Sequence, residues 1–546
     1  MSTARLSHSD VTIPSDLAHT YLGVPFGPSS SPRGDIVASL AYRARTQGDS
    51  PFLTTVAADR QVDTLSYRDL DELSRRLGGW LRSEVGCSTG DVLAMIPLND
   101  ARSVIAILGA LRAGCRVLLL SPADPVARLR EQTEAIGAKV VLCAPDVPAG
   151  QYPEAIAVPD ATALAEELQV SADASLTPGD DALYFGTSGS TACAKLVAQS
   201  HYNVVANAAA VRRHHDMGRG DRILGCLPVH HVNGLHFTVF GTLAAGAHVV
   251  LAHAFQPFGY PQLIERFRPR IASVVPSVLE ALLETWREPD LPPELQYFVS
   301  AAAPLTARTA QAVSRRLGVR VLQGYGLTET TNFSTTVPTD ISPDAYRQLV
   351  TAADIPTVGV AMYGNEVAVL REDGSRTAPG EIGELCMRGH NVMTRYAGNA
   401  EATSAAFRHG WFHSQDLGFE DVDPGSGRSY FVITGRSKNI AKVGGETVSL
   451  EEMERVICAL PAVLDAVCVC VPHQLLGDEI VAAVVFGAGS RPDLGAYLRT
   501  RFAAAVVPRR VVALGTIPRT ATGKVLRSQL ARTLAAPGAG ETTQRQ

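Results

Sequence analysis

Short apolar runs alternate with amphipathic segments along most of this chain before residue 360. The first runs are 92–96, 116–120 and 139–143, and helix-like segments at 102–113 and near 127–136 separate them. Buried parallel strands form continuous apolar runs, and helices usually connect them. The pattern therefore predicts βαβ units in a large α/β domain, and similar runs extend it at 222–227, 248–252, 271–275, 297–300 and 320–323.

One segment, 67–81, has the spacing of an amphipathic helix. Its leucines fall on one stripe, and Ser66 with Asp69 can cap its first turn. The leucines concerned are Leu70, Leu73, Leu77 and Leu81.

The pattern changes after residue 360, where strands at 366–370, 384–388 and 430–433 are separated by Gly, Pro and Asp turns. We expect a large N-terminal domain at 1–434 that includes a β-rich subdomain at about 360–434. A compact α+β C-terminal domain at 435–534 follows, and the Ala/Gly/Thr/Gln-rich tail 535–546 is predicted to be disordered.

Composition narrows the class of partner. The 546 residues are 46% hydrophobic and 19% charged, with a formal net charge of −5, so no basic surface for nucleic acid or membrane is expected. The start of the chain lacks the apolar core of a signal peptide, and the nine cysteines show no Cys-x-x-Cys spacing. These features predict a cytoplasmic protein with buried thiols that acts on small molecules.

The loop from Thr187 to Lys195 is the strongest candidate for chemistry. It follows an apolar run, 181–185, and backbone N–H groups at such a strand end can form an anion-binding nest. Its hydroxyls, its glycine and its cation suit phosphate oxygens, although the spacing is not that of a P-loop and an ordinary solvated loop is the alternative. The residues concerned are Thr187, Ser188, Gly189, Ser190, Thr191 and Lys195.

Two further segments carry candidate residues. In Gln323–Thr330, two glycines flank an aromatic ring that could stack on a heterocycle, and Glu329 offers a hard oxygen for Mg²⁺; a turn with Thr328 as helix N-cap is the alternative. Lys524, on a turn-rich loop, could stabilise charge on phosphorus, and Asp416 could accept two ribose hydroxyls. Each of the last two also fits a plain surface position.

Seven short motifs occur in one order along the chain, at 187–195, 228–231, 300–304, 325–329, 411–416, 435–436 and 522–524. From about Leu65 to Arg527 they resemble the adenylate-forming superfamily of acyl-CoA synthetases, luciferases and peptide-synthetase adenylation domains. In that family a carboxylate attacks the α-phosphate of ATP to give an acyl-adenylate and pyrophosphate. The acyl group then passes to an acceptor, usually a thiol.

The resemblance implies a small-molecule carboxylic acid, ATP, Mg²⁺ and CoA as the bound groups. The phosphate loop and Lys195 would hold the β- and γ-phosphates, Glu329 and Thr191 would serve the metal, and Lys524 would stabilise the adenylation transition state. The remaining nucleotide contacts implied are Ala302, Ala303, Pro304, Gln323, Gly324, Tyr325, Gly326, Thr328, Asp416 and Arg436.

The resemblance also implies a mobile C-terminal domain that pivots at Lys438, with Lys442, Gly444 and Gly445 lining the acceptor channel. His231 would gate the acyl pocket; its neighbour His230 would point the other way if both were on a strand. The other pocket positions implied are Asn233, Ala301, Gly324 and Thr331. Since Ala301 and His231 would narrow this pocket, we expect a small aromatic or short-chain acid.

The chain departs from the family at three places. Ala192-Cys193-Ala194-Lys195 replaces Gly-x-Pro-Lys, Ala301 replaces a glycine, and Ser414-Gln415 replaces Thr-Gly. Alanine in place of glycine requires the loop to avoid positive φ or to carry strain of about 1 kcal/mol. Two alternatives to CoA ligation stay open: adenylation with a carrier-protein thiol, an amine or nitrite as acceptor, and a nucleotide-binding homologue without turnover.

Overall fold

The computed structural model describes residues 16–27, 34–148, 152–165, 176–187, 195–287, 291–443, 446–473, 477–487, 491–520 and 523–535. The contacts divide it into two compact units. The large unit contains the described residues up to Val367 and Cys386–His413; the small unit contains Ala368–Leu385 and the described residues from Ser414 onward. The boundary at 434/435 stays a prediction from the sequence.

A nine-stranded sheet forms one layer of the large unit. Its order is β15-β14-β13-β12-β11-β9-β10-β1-β2, and the strands from β13 to β1 in that order are parallel. The predicted runs at 248–252 and 297–300 are strands with the expected bounds. The strands are β1 (Pro51–Val56), β2 (Val62–Ser66), β9 (Arg222–Gly225), β10 (His248–Ala252), β11 (Ile271–Val274), β12 (Tyr297–Ser300), β13 (Arg320–Tyr325), β14 (Thr335–Thr336) and β15 (Val360–Ala361).

A second sheet of seven strands follows the order β18-β8-β7-β4-β3-β5-β6. Strands β7 and β8 form an antiparallel hairpin, and β18, much later in the sequence, pairs with β8. The strands are β3 (Val92–Ile96), β4 (Arg116–Leu119), β5 (Val140–Cys143), β6 (Ile156–Ala157), β7 (Asp181–Gly186), β8 (Leu196–Ser200) and β18 (Arg395–Tyr396).

Helices pack on these sheets and bury their apolar stripes in a shared core. The predicted helix α2 begins at Tyr67 with the expected Ser66–Asp69 capping box, and its four stripe leucines are buried. The helices of this unit are α1 (Ile36–Gln47), α2 (Tyr67–Ser83), α3 (Ala101–Arg112), α4 (Val126–Ile136), α5 (His201–His214), α6 (Thr242–Ala245), α7 (Tyr260–Phe267), α8 (Pro276–Thr285), α9 (Ala307–Leu317), α10 (Pro343–Tyr346) and α11 (Ala400–Ala406), with π-helices at Asn233–Gly241 and Arg347–Thr351.

Between residues 365 and 436 the chain forms the predicted β-rich stretch. Its strands are β16 (Asn365–Leu370), β17 (Gly383–Gly389), β19 (Phe407–Arg408), β20 (Trp411–Val422) and β21 (Ser429–Arg436). The last part of the chain is an α+β unit, as the sequence predicts, with β22 (Ile440–Val443), β23 (Glu446–Ser449), β24 (Val463–His473), β25 (Gly477–Phe486), β26 (Arg510–Ala513), α12 (Leu450–Cys458), α13 (Leu494–Leu498) and α14 (Arg527–Ala535). The predicted α/β fold is confirmed, whereas residues 536–546 of the predicted tail lie outside the described residues.

Two further observations concern the state of the cysteines and the apolar character of the helices. Eight cysteines fall in the described part of the chain, and all eight are free thiols. Across the same residues, none of the helices combines the length and the apolar character needed to cross a membrane.

Candidate active site

One backbone hydrogen bond joins the two ends of the phosphate loop, and an arginine side chain contacts the first of them. The N–H of Thr187, directly after β7, donates to the Lys195 carbonyl at 2.9 Å, and the Arg128 guanidinium donates to the Thr187 carbonyl at 3.3 Å. The predicted strand-to-loop transition is therefore present. The other phosphate-loop candidates, Ser188, Gly189, Ser190 and Thr191, lie outside the described residues, as do Ala192 and Ala194.

An ion pair between a half-exposed arginine and a buried carboxylate anchors the start of β7. The Arg395 guanidinium contacts both carboxylate oxygens of Asp181, at 2.5 and 3.0 Å, and the Tyr184 hydroxyl donates to the same carboxylate at 2.7 Å. Burial, followed by the charge of Asp181, raises the pKa of Tyr184, so its hydroxyl stays protonated and able to donate. This contact ties β18 to the hairpin that presents the phosphate loop.

The segment after β13 makes a tight turn that needs glycine. A Cβ on Gly326 would lie 1.7 Å from the Asn332 carbonyl oxygen, and one on Gly324 would lie 2.9 Å from the Phe333 ring. Residues Thr328–Thr330 form a 3₁₀ turn whose N-cap is Leu327, so Thr328 is not the helix N-cap of the alternative interpretation. The turn places the Glu329 side chain beside β18.

Two consecutive hydrogen bonds connect this turn to the buried side chains of Gln199 and His236. His236 Nε2 contacts Gln199 Oε1 at 2.8 Å, and Gln199 Nε2 donates to the Thr328 carbonyl at 2.9 Å. Burial lowers the pKa of His236 to about 3, so the imidazole is neutral and its Nε2–H is the donor. No local sequence pattern points to Gln199 or His236, because the partners in these hydrogen bonds are far apart in the chain.

Tyr396 connects the metal candidate to the phosphate loop. Its hydroxyl donates to Glu329 Oε1 at 2.9 Å, and the Lys195 ammonium lies 4.8 Å from the centre of its ring. Burial, followed by the charge of Glu329, raises the pKa of Tyr396, which keeps the phenol protonated. Within the described residues Glu329 makes no other side-chain hydrogen bond or ion pair, so Oε2 suits the oxygen coordination that Mg²⁺ prefers. Sequence reasoning missed Tyr396.

The wall predicted for adenine begins at the end of β12. Ala301 is buried and has no positive φ, whereas Ala302 has φ of 69°. The backbone conformation that favours glycine therefore falls one residue after the position where the family glycine is replaced. Ala302 and Pro304 are exposed, Ala303 is half-buried, and Gln323 and Tyr325 lie on the adjacent strand β13.

Of the predicted acyl-pocket residues, Asn233 begins the first π-helix and His231 lies just before it. His230 and His231 precede it in a turn, not on a strand, so the expected opposite orientation is wrong: their rings are 4.5 Å apart. Burial, then the neighbouring His231, lowers the pKa of His230. Asn233 is buried and its Oδ1 accepts from Ser273, while Thr331 is fully buried with its hydroxyl donating to the Asn391 carbonyl at 2.6 Å.

The small unit holds the ribose candidates. Asp416 and Arg436 are opposite each other on β20 and β21, and Arg436 Nε contacts Asp416 Oδ1 at 2.7 Å. Asp416 is almost fully buried, and the residue before it, Gln415, has φ of 64° where the family has glycine. The structure thus brings together the two residues predicted to bind ribose.

The remaining candidates of the small unit are exposed lysines and a loop. Lys438 lies in a 3₁₀ turn, and Lys524 lies in a hairpin closed by its carbonyl, which accepts from Thr520 N–H at 2.8 Å. Lys442 belongs to β22, but its side chain is outside the described part, as are Gly444 and Gly445 entirely.

Comparison with known proteins identifies the architecture. The family model described as AMP-binding enzyme matches residues 40–397, and the model of the AMP-binding enzyme C-terminal domain matches 452–524. A sulfoacetate–CoA ligase of Cupriavidus necator is 29% identical over 91% of this chain and 97% of its own length, and a feruloyl-CoA synthase of an Amycolatopsis species is 31% identical over 86% and 94%. The structure of ATP-bound MatB from Rhodopseudomonas palustris superposes with a TM-score of 0.78 at 26% identity, covering 92% of this chain and 99% of that one.

Proposed function

The chain belongs to the AMP-binding enzyme family and is an AMP-forming ligase of the acyl-CoA synthetase type, and from this premise we propose that it joins a small aromatic or short-chain carboxylic acid to CoA. Similar proteins include ligases named for both kinds of acid: oxalate–CoA ligase of Arabidopsis thaliana, 28% identical over 86% of this chain and 93% of its own, and the feruloyl-CoA synthase. The narrow pocket expected from Ala301, which is buried, and His231 supports the preference over long fatty acids.

In the first half-reaction the substrate carboxylate attacks the α-phosphate of ATP, and pyrophosphate leaves. Lys195 and the donors of the phosphate loop would bind the β- and γ-phosphates, and Lys524 would stabilise the charge on the phosphorus. Mg²⁺, when bound, would neutralise phosphate charge as pyrophosphate leaves, with Glu329 as its carboxylate ligand. Asp416 would accept ribose hydroxyls, and its contact with Arg436 supports that role by fixing the carboxylate.

In the second half-reaction the thiol of CoA attacks the acyl carbonyl, and AMP leaves. We assign Lys438 as the pivot of the C-terminal domain, and Lys442, Gly444 and Gly445 as the acceptor channel. A pivot is useful because Lys524 has to leave before the thiol enters.

One observation carries the proposal. Lys195 at the end of the phosphate loop and Glu329 on a turn distant in sequence both contact Tyr396, so the cation proposed for phosphate and the carboxylate proposed for the metal lie close together in the large unit. Both groups are found at strand ends, where α/β enzymes bind nucleotides.

The test is a panel of small aromatic, short-chain and long-chain acids with Mg²⁺-ATP and CoA. AMP, pyrophosphate and an acyl-CoA should appear together for one of the smaller acids. Formation of AMP without acyl-CoA would mean that the acceptor is not CoA but a carrier thiol, an amine or nitrite, and these acceptors are assayed in parallel. If no acid and acceptor gives pyrophosphate, the remaining interpretation is a homologue that binds nucleotide without turnover.

Lys524 has its own test. Lys524→Ala should abolish pyrophosphate release. The control is Lys139→Ala, which removes another exposed lysine, directly before strand β5, and should leave pyrophosphate release unchanged. Normal pyrophosphate release by Lys524→Ala would contradict the role assigned to this lysine.

A further inference from the structure

Tyr396 lies between two groups of opposite charge that the proposed function directs to ATP. The Lys195 ammonium is over its ring, 4.8 Å from the centroid, and Glu329 Oε1 accepts from its hydroxyl at 2.9 Å. The tyrosine is buried, with 7% of its surface exposed, so its position is set by packing and not by solvent.

The backbone around Tyr396 fixes this position. In β18, Arg395 and Tyr396 pair with Ala198 and Val197 of β8, the strand that begins directly after Lys195. The ion pair of Arg395 with Asp181 secures the other strand of the hairpin. The ring is therefore held at the base of the phosphate loop by both strands.

A lysine over the ring and a glutamate at the hydroxyl of the same tyrosine are expected to attract each other. A direct ion pair would engage the ammonium donors and occupy the carboxylate, which would leave neither for phosphate or metal. In the described part of the chain no ion pair joins Lys195 to Glu329. The ring face attracts the cation through its quadrupole, and the hydroxyl satisfies one carboxylate oxygen without adding charge.

We propose that Tyr396 is a positioning residue that keeps Lys195 and Glu329 apart, so that the lysine stays available to phosphate oxygens and Glu329 Oε2 to the metal. This role rests on the proposed function, because separating the two charges matters only if the lysine binds phosphate and the glutamate binds the metal. It predicts that the two parts of the side chain, the hydroxyl and the ring, act on different steps of nucleotide binding.

Equilibrium binding of a fluorescent ATP analogue, with Mg²⁺ and in its absence, separates these parts. Tyr396→Phe keeps the ring, so metal-free affinity should match the wild type while the gain on adding Mg²⁺ falls about tenfold. Tyr396→Leu also removes the ring and lets the ion pair form, so metal-free affinity should fall about tenfold as well. Tyr152→Phe, which loses a hydroxyl contact with Thr133 elsewhere in the large unit, is the matched control and should bind as the wild type does.

A second substitution distinguishes charge separation from simple loss of packing. Glu329→Gln in the Tyr396→Leu background removes the partner of the ion pair, so metal-free affinity should return to within about twofold of the wild type. Failure of this rescue, or wild-type affinities in both Tyr396 variants, would overturn the inference while wild-type ATP binding upheld the proposed function. Absence of ATP binding by the wild type would overturn the proposed function itself.

Discussion

A methyl group added at Gly326 is expected to displace the turn that carries Glu329. Its Cβ would lie 1.7 Å from the Asn332 carbonyl oxygen and 2.8 Å from the Phe333 Cα, so the obstacle is backbone and not a flexible side chain. Restoring an ordinary carbon–oxygen contact of about 3.3 Å requires one segment to move by about 1.6 Å.

The opposing segment is held by hydrogen bonds that this movement would break. Asn391 Nδ2 donates to the carbonyls of Thr330 and Phe333, at 2.9 and 3.3 Å, and the Thr330 hydroxyl donates to the Asn332 carbonyl at 3.2 Å. Losing two of these bonds in a buried site costs about 2–4 kcal/mol, since each leaves a polar group without its partner. We therefore expect Gly326→Ala to destabilise the large unit by that amount and to stop pyrophosphate release.

Tryptophan fluorescence is a suitable probe because the three tryptophans, Trp80, Trp286 and Trp411, all belong to the large unit. With a urea m-value of about 3 kcal/mol/M, the midpoint should fall by roughly 1 M. Gly218→Ala is the control, since its Cβ would meet no atom within 4 Å and its φ is ordinary. A Gly326→Ala midpoint equal to that of Gly218→Ala would refute the reasoning.

Two further predictions concern strain and pH. Gln415→Val should lower the thermal midpoint of the small unit by calorimetry, because a β-branched residue at φ of 64° adds about 1–2 kcal/mol of strain, whereas Gln415→Gly should not lower it; equal effects would contradict the strain. Burial holds the pKa of His236 at about 3, so the unfolded chain binds the extra proton and stability should fall with pH from about 6.5 towards 3, by about 2 kcal/mol at pH 5. His236→Gln should remove that share of the pH dependence in urea titrations, exposed His409→Gln should not, and identical slopes in wild type and His236→Gln would contradict the assignment.

The elements that local pattern controls could be predicted from the sequence. Strand β3 has the predicted bounds, and α2 begins at the predicted capping box, because burial pattern and capping chemistry act over a few residues. Asp416 and Arg436 could be predicted only separately, each from its own motif. The register of β20 against β21 brings the two residues together.

The contacts that organise the active site could not be predicted in this way. Tyr396 meets Glu329 and Lys195 only because β18 adds to the edge of a hairpin formed far earlier in the chain. The predicted opposite orientation of His230 and His231 requires a strand, but the two residues lie in a turn that is followed by a π-helix from Asn233. Long-range pairing and an uncommon helix type leave no periodic signal in the sequence.

The departures from the family bear on whether this chain is an active enzyme. At Gln415 the backbone keeps the left-handed conformation that glycine favours, and the surrounding contacts impose it: the Gln415 N–H donates to Glu384 and the Asp416 N–H to Ser414, at 2.8 and 2.9 Å. Ala302 has the same kind of φ next to the replaced glycine at Ala301. Strained residues persist where neighbouring contacts over-determine them. At these two described positions the local backbone conformation is thus kept although glycine is absent, which favours turnover over a homologue that only binds nucleotide.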